Sequence, residues 1–133
     1  MSRYRIRHAA ALLGVSTDTV RRWIDAGRLP AETDEDGYQV VDGVQLAELI
    51  RSRITDPPEI EIGESSARNQ LVGIVTEVTT DKVMAEVIVQ CGPHTMVSLM
   101  SAESVRRLGL EPGVLAVAQV KSTMVTIEVP EKK

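Results

Sequence analysis

The acidic double proline Asp56-Pro57-Pro58-Glu59 divides the chain into two halves with different hydrophobic periods. Proline lacks an amide donor and restricts the residue before it, so no helix continues through this stretch. Ahead of it apolar residues recur at helical spacing; behind it they fall into short β-branched or aliphatic runs. The 133 residues therefore read as two small domains, 1–55 and 65–130, joined by an acidic, proline-marked linker over 56–64. A domain of about 60 residues buries only about 60% of its unfolded surface, so association with further copies is a natural source of stability.

In the first half, residues 6–13 predict a short helix broken at Gly14. Ser16 stands as N-cap to a second helix from Thr17 to Ala26, which Gly27 terminates. Ala10, Leu13, Val15, Val20, Trp23 and Ile24 form the expected core of this helix-turn-helix. Thr17, Asp18, Arg21, Arg22 and Asp25 fall on the opposite, polar face of the second helix. The acidic stretch Glu32–Gly37 then separates two short β-like pieces, a small hairpin or wing. Asp42 with Gln45 resembles a capping box and starts a third helix reaching about Arg53.

In the second half, Leu71–Val78, Val83–Gln90, Thr95–Met100, Val114–Val120 and Met124–Val129 predict five strands. Between the third and fourth, Ser101 and Gly109 bracket one short helix. The fold class is α+β: a small winged helix-turn-helix domain, then a five-stranded OB-like barrel with one short helix.

Composition narrows the function. Phe is absent, and Trp23, Tyr4 and Tyr38 are the only aromatic residues, so the barrel has no platform for stacking single-stranded bases. Residues 1–55 carry eight Arg against eight acidic residues, and residues 56–133 seven basic against eleven acidic, so an anionic partner must be recognised through local donors. Arg3, Arg5 and Arg7 form one such concentration. Cys91 is the sole cysteine, which rules out an intrachain disulfide. No run approaches membrane-spanning length, and Ala9–Leu13 is too short for a signal segment, so the expectation is a cytoplasmic protein with no membrane partner. Cys91 and His94 do not suffice for a metal site, and no nucleophile with its base is gathered anywhere, which points away from enzyme activity. The methionines of the strand patterns, Met84, Met96, Met100 and Met124, read as core filler in a chain without Phe.

Three segments carry a resemblance. Ser66-Ala67-Arg68-Asn69-Gln70-Leu71-Val72-Gly73, then Ser101–Ser104 running into Arg107–Gly113, and finally Val120-Lys121-Ser122 resemble, in that order, the Mop domain of molbindins and of molybdate-dependent regulators. The resemblance implies an OB-like barrel that binds molybdate or tungstate between subunits, and a homo-oligomer, a hexamer built as a trimer of dimers. It assigns Arg68 and Lys121 as the charges, Ser66, Ser101, Ser104 and Ser122 as hydroxyl donors, and backbone amides near Ser101 and Ser122 as the remainder. These types suit a tetrahedral dianion, whose oxygens only accept hydrogen bonds. Taken singly, Ser101 is a helix cap and the two cations are ordinary surface charges; their joint occurrence carries the reading. Glu103, in the same helical turn as the serines, suits the helix dipole but must point away from a dianion.

The first half resembles the helix-turn-helix of MerR-like and excisionase-like domains through Ala10–Ser16, Thr19–Trp23, Gly27–Pro30 and Gly37-Tyr38. That implies double-stranded DNA as a partner, with Arg5, Arg7, Thr17, Arg21 and Arg22 as contact residues. The wing departs from the pattern, presenting Glu32, Asp34, Glu35 and Asp36 where basic residues commonly meet phosphates. Two functions are compatible with this sequence. One is a one-component, molybdate-responsive DNA-binding regulator; the other is an oxyanion storage protein whose first domain serves assembly.

Overall fold

The computed structural model describes residues 2–52 and 63–130, so residues 53–62, which hold most of the linker and the end of the third predicted helix, lie outside the described residues. The chain forms two compact units, Met1–Glu61 and Ile62–Lys133.

In the first unit, β1 (Arg3–Arg5) leads into α1 (Ile6–Leu13) and α2 (Thr17–Asp25), followed by β2 (Glu32–Thr33), β3 (Gln39–Asp42) and α3 (Gly43–Ser52). Local chemistry sets each boundary. Gly14 adopts a left-handed φ of 72° after α1 and lets its amide bond back to the Ala10 and Ala11 carbonyls. Ser16 Oγ accepts the Thr19 amide at 3.1 Å, and Asp42 Oδ2 accepts that of Gln45 at 3.3 Å, so both expected N-caps are formed. Of the six expected core residues, Ala10 and Val20 belong to the buried cluster with Ile6, Ala9, Leu29, Val41 and Leu46, while Leu13, Val15, Trp23 and Ile24 are half-buried and pack against it. The N-terminal arginines are not a loose arm: β1 pairs antiparallel with β3, placing Arg5 opposite Val40 in a three-stranded sheet of order β1-β3-β2.

The second unit is a curled antiparallel sheet of OB-like type, order β6-β5-β4-β7, from β4 (Asn69–Thr80), β5 (Met84–Cys91), β6 (His94–Ser101) and β7 (Leu115–Val120), with α4 (Ala102–Leu108) between β6 and β7. β4 serves two partners, β7 along Asn69–Ile74 and β5 along Ile74–Thr80, with a register shift between Val75 and Glu77. Such an irregularity bends a strand and lets one sheet curl over its own core. Gly73 lies two residues ahead of the shift, where a Cβ would meet the Gln90 carbonyl and lie 2.7 Å from Cys91 Sγ. Val75, Ala85, Val87, Val89, Cys91 and Val105 fill the interior.

The strand count differs from the expected five. Met124–Val129 forms no strand within the chain: residues Ser122–Met124 make a 3-10 turn, and the residues beyond it are exposed. β-structure needs an edge to pair with, and no edge of the chain's own sheet takes this run. Met84 and Met124 are likewise exposed rather than core filler, whereas Met96 and Met100 pack on the interior.

Asp81 closes the β4–β5 turn, its Oδ1 accepting the Val83 and Met84 amides at 2.7 Å each. These bonds, that of Met84 foremost, hold its carboxyl below the ordinary aspartate value. A depressed folded-state value means the stabilisation is present above the unfolded pKa and is lost as pH falls through the folded one. Asp81→Ala is therefore expected to lower the melting temperature at neutral pH, with the difference from the unaltered protein narrowing in strong acid.

Candidate functional site

Strand register sets two of the expected oxyanion ligands, Arg68 and Lys121, opposite each other beyond the ends of β4 and β7, with Ser66 and Ser122 close by in sequence. Asn69 pairs with Val120, so Arg68 and Lys121 follow as the next opposed positions beyond the ladder. A small polar network fixes this corner. Asn69 Nδ2 donates to the Val120 carbonyl at 3.0 Å, Ser65 Oγ donates to Gln119 Oε1 at 3.1 Å, and the Ala67 amide donates to Ser65 Oγ at 3.1 Å. Buried Ala67 anchors the segment while Ser66 and Arg68 on either side remain exposed. Ser122 opens the 3-10 turn, and the Met124 amide donates to the Lys121 carbonyl at 2.8 Å. Ser65, Asn69 and Gln119 thus position the corner. The sequence motif does not mark Ser65 or Gln119, whose partnership spans 54 residues of sequence.

Ser101 and Ser104 lie elsewhere. Ser101 pairs with Met84 at the far end of the sheet, next to the turn that ends β4 at Thr80. The contour of β4 between its two ends is roughly 36 Å at about 3.3 Å per residue. Along the ladders, Ser66, Arg68, Lys121 and Ser122 therefore adjoin one end of β4, and Ser101 with Ser104 the other.

Hydrogen-bond accounting limits what the second corner can offer. Ser101 Oγ accepts the Ser104 amide at 3.1 Å, and the two hydroxyls are 2.8 Å apart. One of their two protons is spent between them, so the pair can present one O–H outward. The Ala102 amide donates to the Val83 carbonyl at 2.8 Å. Among the first three amides of α4, only that of Glu103 makes no hydrogen bond to another described residue, so this helix start offers fewer free donors than the sequence suggested. Glu103 itself is exposed.

In the first unit, the expected DNA contacts divide differently. Arg5, Arg7 and Arg21 line one cleft of about 400 Å³ together with Tyr38. Arg21 also pairs with Asp18 at 3.4 Å, whereas Arg22 donates to Thr19 Oγ1 at 3.1 Å and does not line the cleft. Thr17 is half-buried as the first residue of α2. The acidic wing is partly spent internally: Glu32 pairs with Arg3 at 3.6 Å, and Asp34 Oδ1 accepts the Asp36 and Tyr38 amides at 2.9 Å each. Among the described residues, no group of three or more His, Cys, Asp or Glu is placed to hold a metal ion, and no helix is long and apolar enough to cross a membrane.

Comparison with known proteins matches each unit separately. Residues 65–127 match the TOBE domain family, and residues 3–53 match a helix-turn-helix domain family. Molybdenum-pterin-binding protein 2 of Clostridium pasteurianum is 43% identical over 63 residues, which is 47% of this chain and 93% of that protein. Among solved structures, MopII from Clostridium pasteurianum in an apo form has 40% identity and a TM-score of 0.46, with 50% of this chain and 100% of that one covered. A molybdate-binding protein from Sporomusa ovata has 30% identity and a TM-score of 0.48 over 50% of this chain and 100% of that one. Through residues 65–127 the chain belongs to the TOBE-domain family of molybdenum-pterin-binding proteins, and it carries a helix-turn-helix domain over residues 3–53.

Proposed function

We propose that this protein is a one-component, molybdate- or tungstate-responsive DNA-binding transcriptional regulator, cytoplasmic and without catalytic activity. The observation that carries the reading is the union on one chain of a molybdenum-pterin-binding family domain with a helix-turn-helix whose α2 exposes Arg21 and Arg22. Arg68 and Lys121 supply the charge for the oxyanion, with hydroxyls from Ser66, Ser122, Ser101 and Ser104.

Because the two donor groups stand at opposite ends of β4, a complete site draws on two copies of the chain. The same assembly accounts for the unpaired run. Val125, Ile127 and Val129 alternate at strand period and are 44%, 86% and 80% exposed. An open apolar groove of about 470 Å³ runs between the edge strands β6 and β7, lined by residues such as Val97, Met100, Leu115 and Val117. In the homo-oligomer, a hexamer of three dimers, residues 125–129 of one copy lie in this groove of a second and supply the missing fifth strand. That pairing satisfies edge amides that would otherwise invite aggregation. Oxyanion bound across copies favours one assembly and thereby sets the spacing of paired α2 helices on DNA.

Calorimetric titration of the full chain with molybdate and with tungstate tests the sensing half; no heat at micromolar to millimolar ligand sinks it. For the DNA half, Arg21→Ala with Arg22→Ala is expected to weaken duplex binding and reduce its salt dependence. Many oxyanions bound per oligomer with no duplex shift at low salt would identify a storage protein instead.

A further inference from the structure

We propose that the cleft beside the β1–α1 junction takes one backbone phosphate of duplex DNA, and that Tyr38 of the acidic wing is the positioning residue that holds Arg5 for it. The inference rests on the DNA-binding reading above and deepens it.

The cleft gathers guanidinium groups from three elements: Arg5 at the end of β1, Arg7 in the first turn of α1 and Arg21 on α2. Among the described residues, no carboxylate lines it. A phosphate diester offers only acceptor oxygens, and planar guanidinium forks match them in geometry as well as charge. The Asp18 contact to Arg21 does not compete strongly, because both side chains are largely exposed and the pair is 3.4 Å apart.

Tyr38 gives this cleft its order. The Arg5 guanidinium carbon lies 4.1 Å from the centroid of the Tyr38 ring, a stacking distance that restrains an otherwise flexible side chain while leaving its N–H edge available. Tyr38 is in turn held by the wing. Its amide donates to Asp34 Oδ1 at 2.9 Å, its carbonyl accepts the Asp34 amide at 2.8 Å, and Gly37 makes the return at φ 85°. Asp34 is thus part of the frame that delivers Tyr38 to Arg5, which reconciles an acidic wing with a polyanionic partner.

The test is fluorescence anisotropy with a labelled mixed-sequence duplex and the full chain across a salt series, since a phosphate contact is independent of sequence. Arg5→Ala is expected to weaken binding about tenfold and to flatten the dependence of log K on log salt by about one unit. Tyr38→Ala is expected to weaken binding several-fold, Tyr38→Leu to behave alike and Tyr38→Phe to bind normally, because the ring face does the holding. In an Arg5→Ala background, Tyr38→Ala should cost nothing further. Arg51→Ala, a cation on α3 outside the cleft, controls for net charge.

Duplex binding that survives Arg5→Ala and Tyr38→Ala in folded protein, or additive losses from the two, overturns the clamp and leaves the DNA reading standing. No duplex binding by the unaltered protein at low salt overturns both. If inorganic phosphate perturbs the Tyr38 ring resonances of such a protein, the cleft serves a free anion and the proposal is equally wrong.

Discussion

Changing Arg68 and Lys121 together to alanine is expected to abolish oxyanion binding without unfolding the barrel. Both side chains are exposed and, among the described residues, neither is ion-paired, so their removal leaves no orphaned partner inside the protein. Surface changes of this kind usually alter stability by no more than about 0.5 kcal/mol. The ligand loses much more. Hydrogen bonds to charged groups contribute about 1.5–3 kcal/mol each, so losing two costs about 3–6 kcal/mol, or roughly 10²- to 10⁴-fold in affinity. Ser101→Ala should also weaken binding, but it removes the α4 cap and costs about 1 kcal/mol of stability, so it reports on the site less cleanly. Calorimetry of the Arg68/Lys121 double variant beside Arg106→Ala, a cation in the last turn of α4, separates a specific site from a general effect of charge. Equal affinities would remove Arg68 and Lys121 from the site.

What could be read in advance was whatever is encoded locally. Ser16, Asp42 and Ser101 each announce a helix start by side-chain chemistry that acts over three residues, and each cap forms. The period change after the prolines likewise marks four strands to within about two residues at each end. What escaped depends on partners distant in sequence. Arg3-Tyr4-Arg5 has no apolar alternation to mark a strand, and it becomes one because β3 offers an edge. The split of the serines from the cations is a property of register: Ser101 aligns with Met84 and Arg68 with the end of β7, which no motif spacing discloses. Met124–Val129 has a strand's pattern, but its partner is not in the chain's own sheet. Pattern fixes what a segment can pair as, whereas topology decides with which edge, and in which copy.

That last distinction gives the second large expected effect. In an isolated chain Ile127 and Val129 are 86% and 80% exposed and belong to neither buried cluster, so Ile127→Asp with Val129→Asp should scarcely alter the fold of one copy. In the assembly the same two carboxylates would enter the apolar groove between β6 and β7 of a second copy. An ionised carboxylate without a partner costs several kcal/mol in such surroundings. Two per strand exceed what burying two aliphatic side chains contributes, about 1.5–3 kcal/mol each, so the exchange should fail. Light scattering is then expected to report a mass falling toward that of one chain, with far-ultraviolet dichroism retained. Oxyanion binding should fall in parallel although none of the proposed ligands has been touched, because in the proposed site the hydroxyls of Ser101 and Ser104 meet Arg68 and Lys121 across copies. A variant that keeps its full mass would refute the strand exchange; one that becomes monomeric and still binds oxyanion at full affinity would show that the corner formed by Ser66, Arg68, Lys121 and Ser122 is sufficient alone.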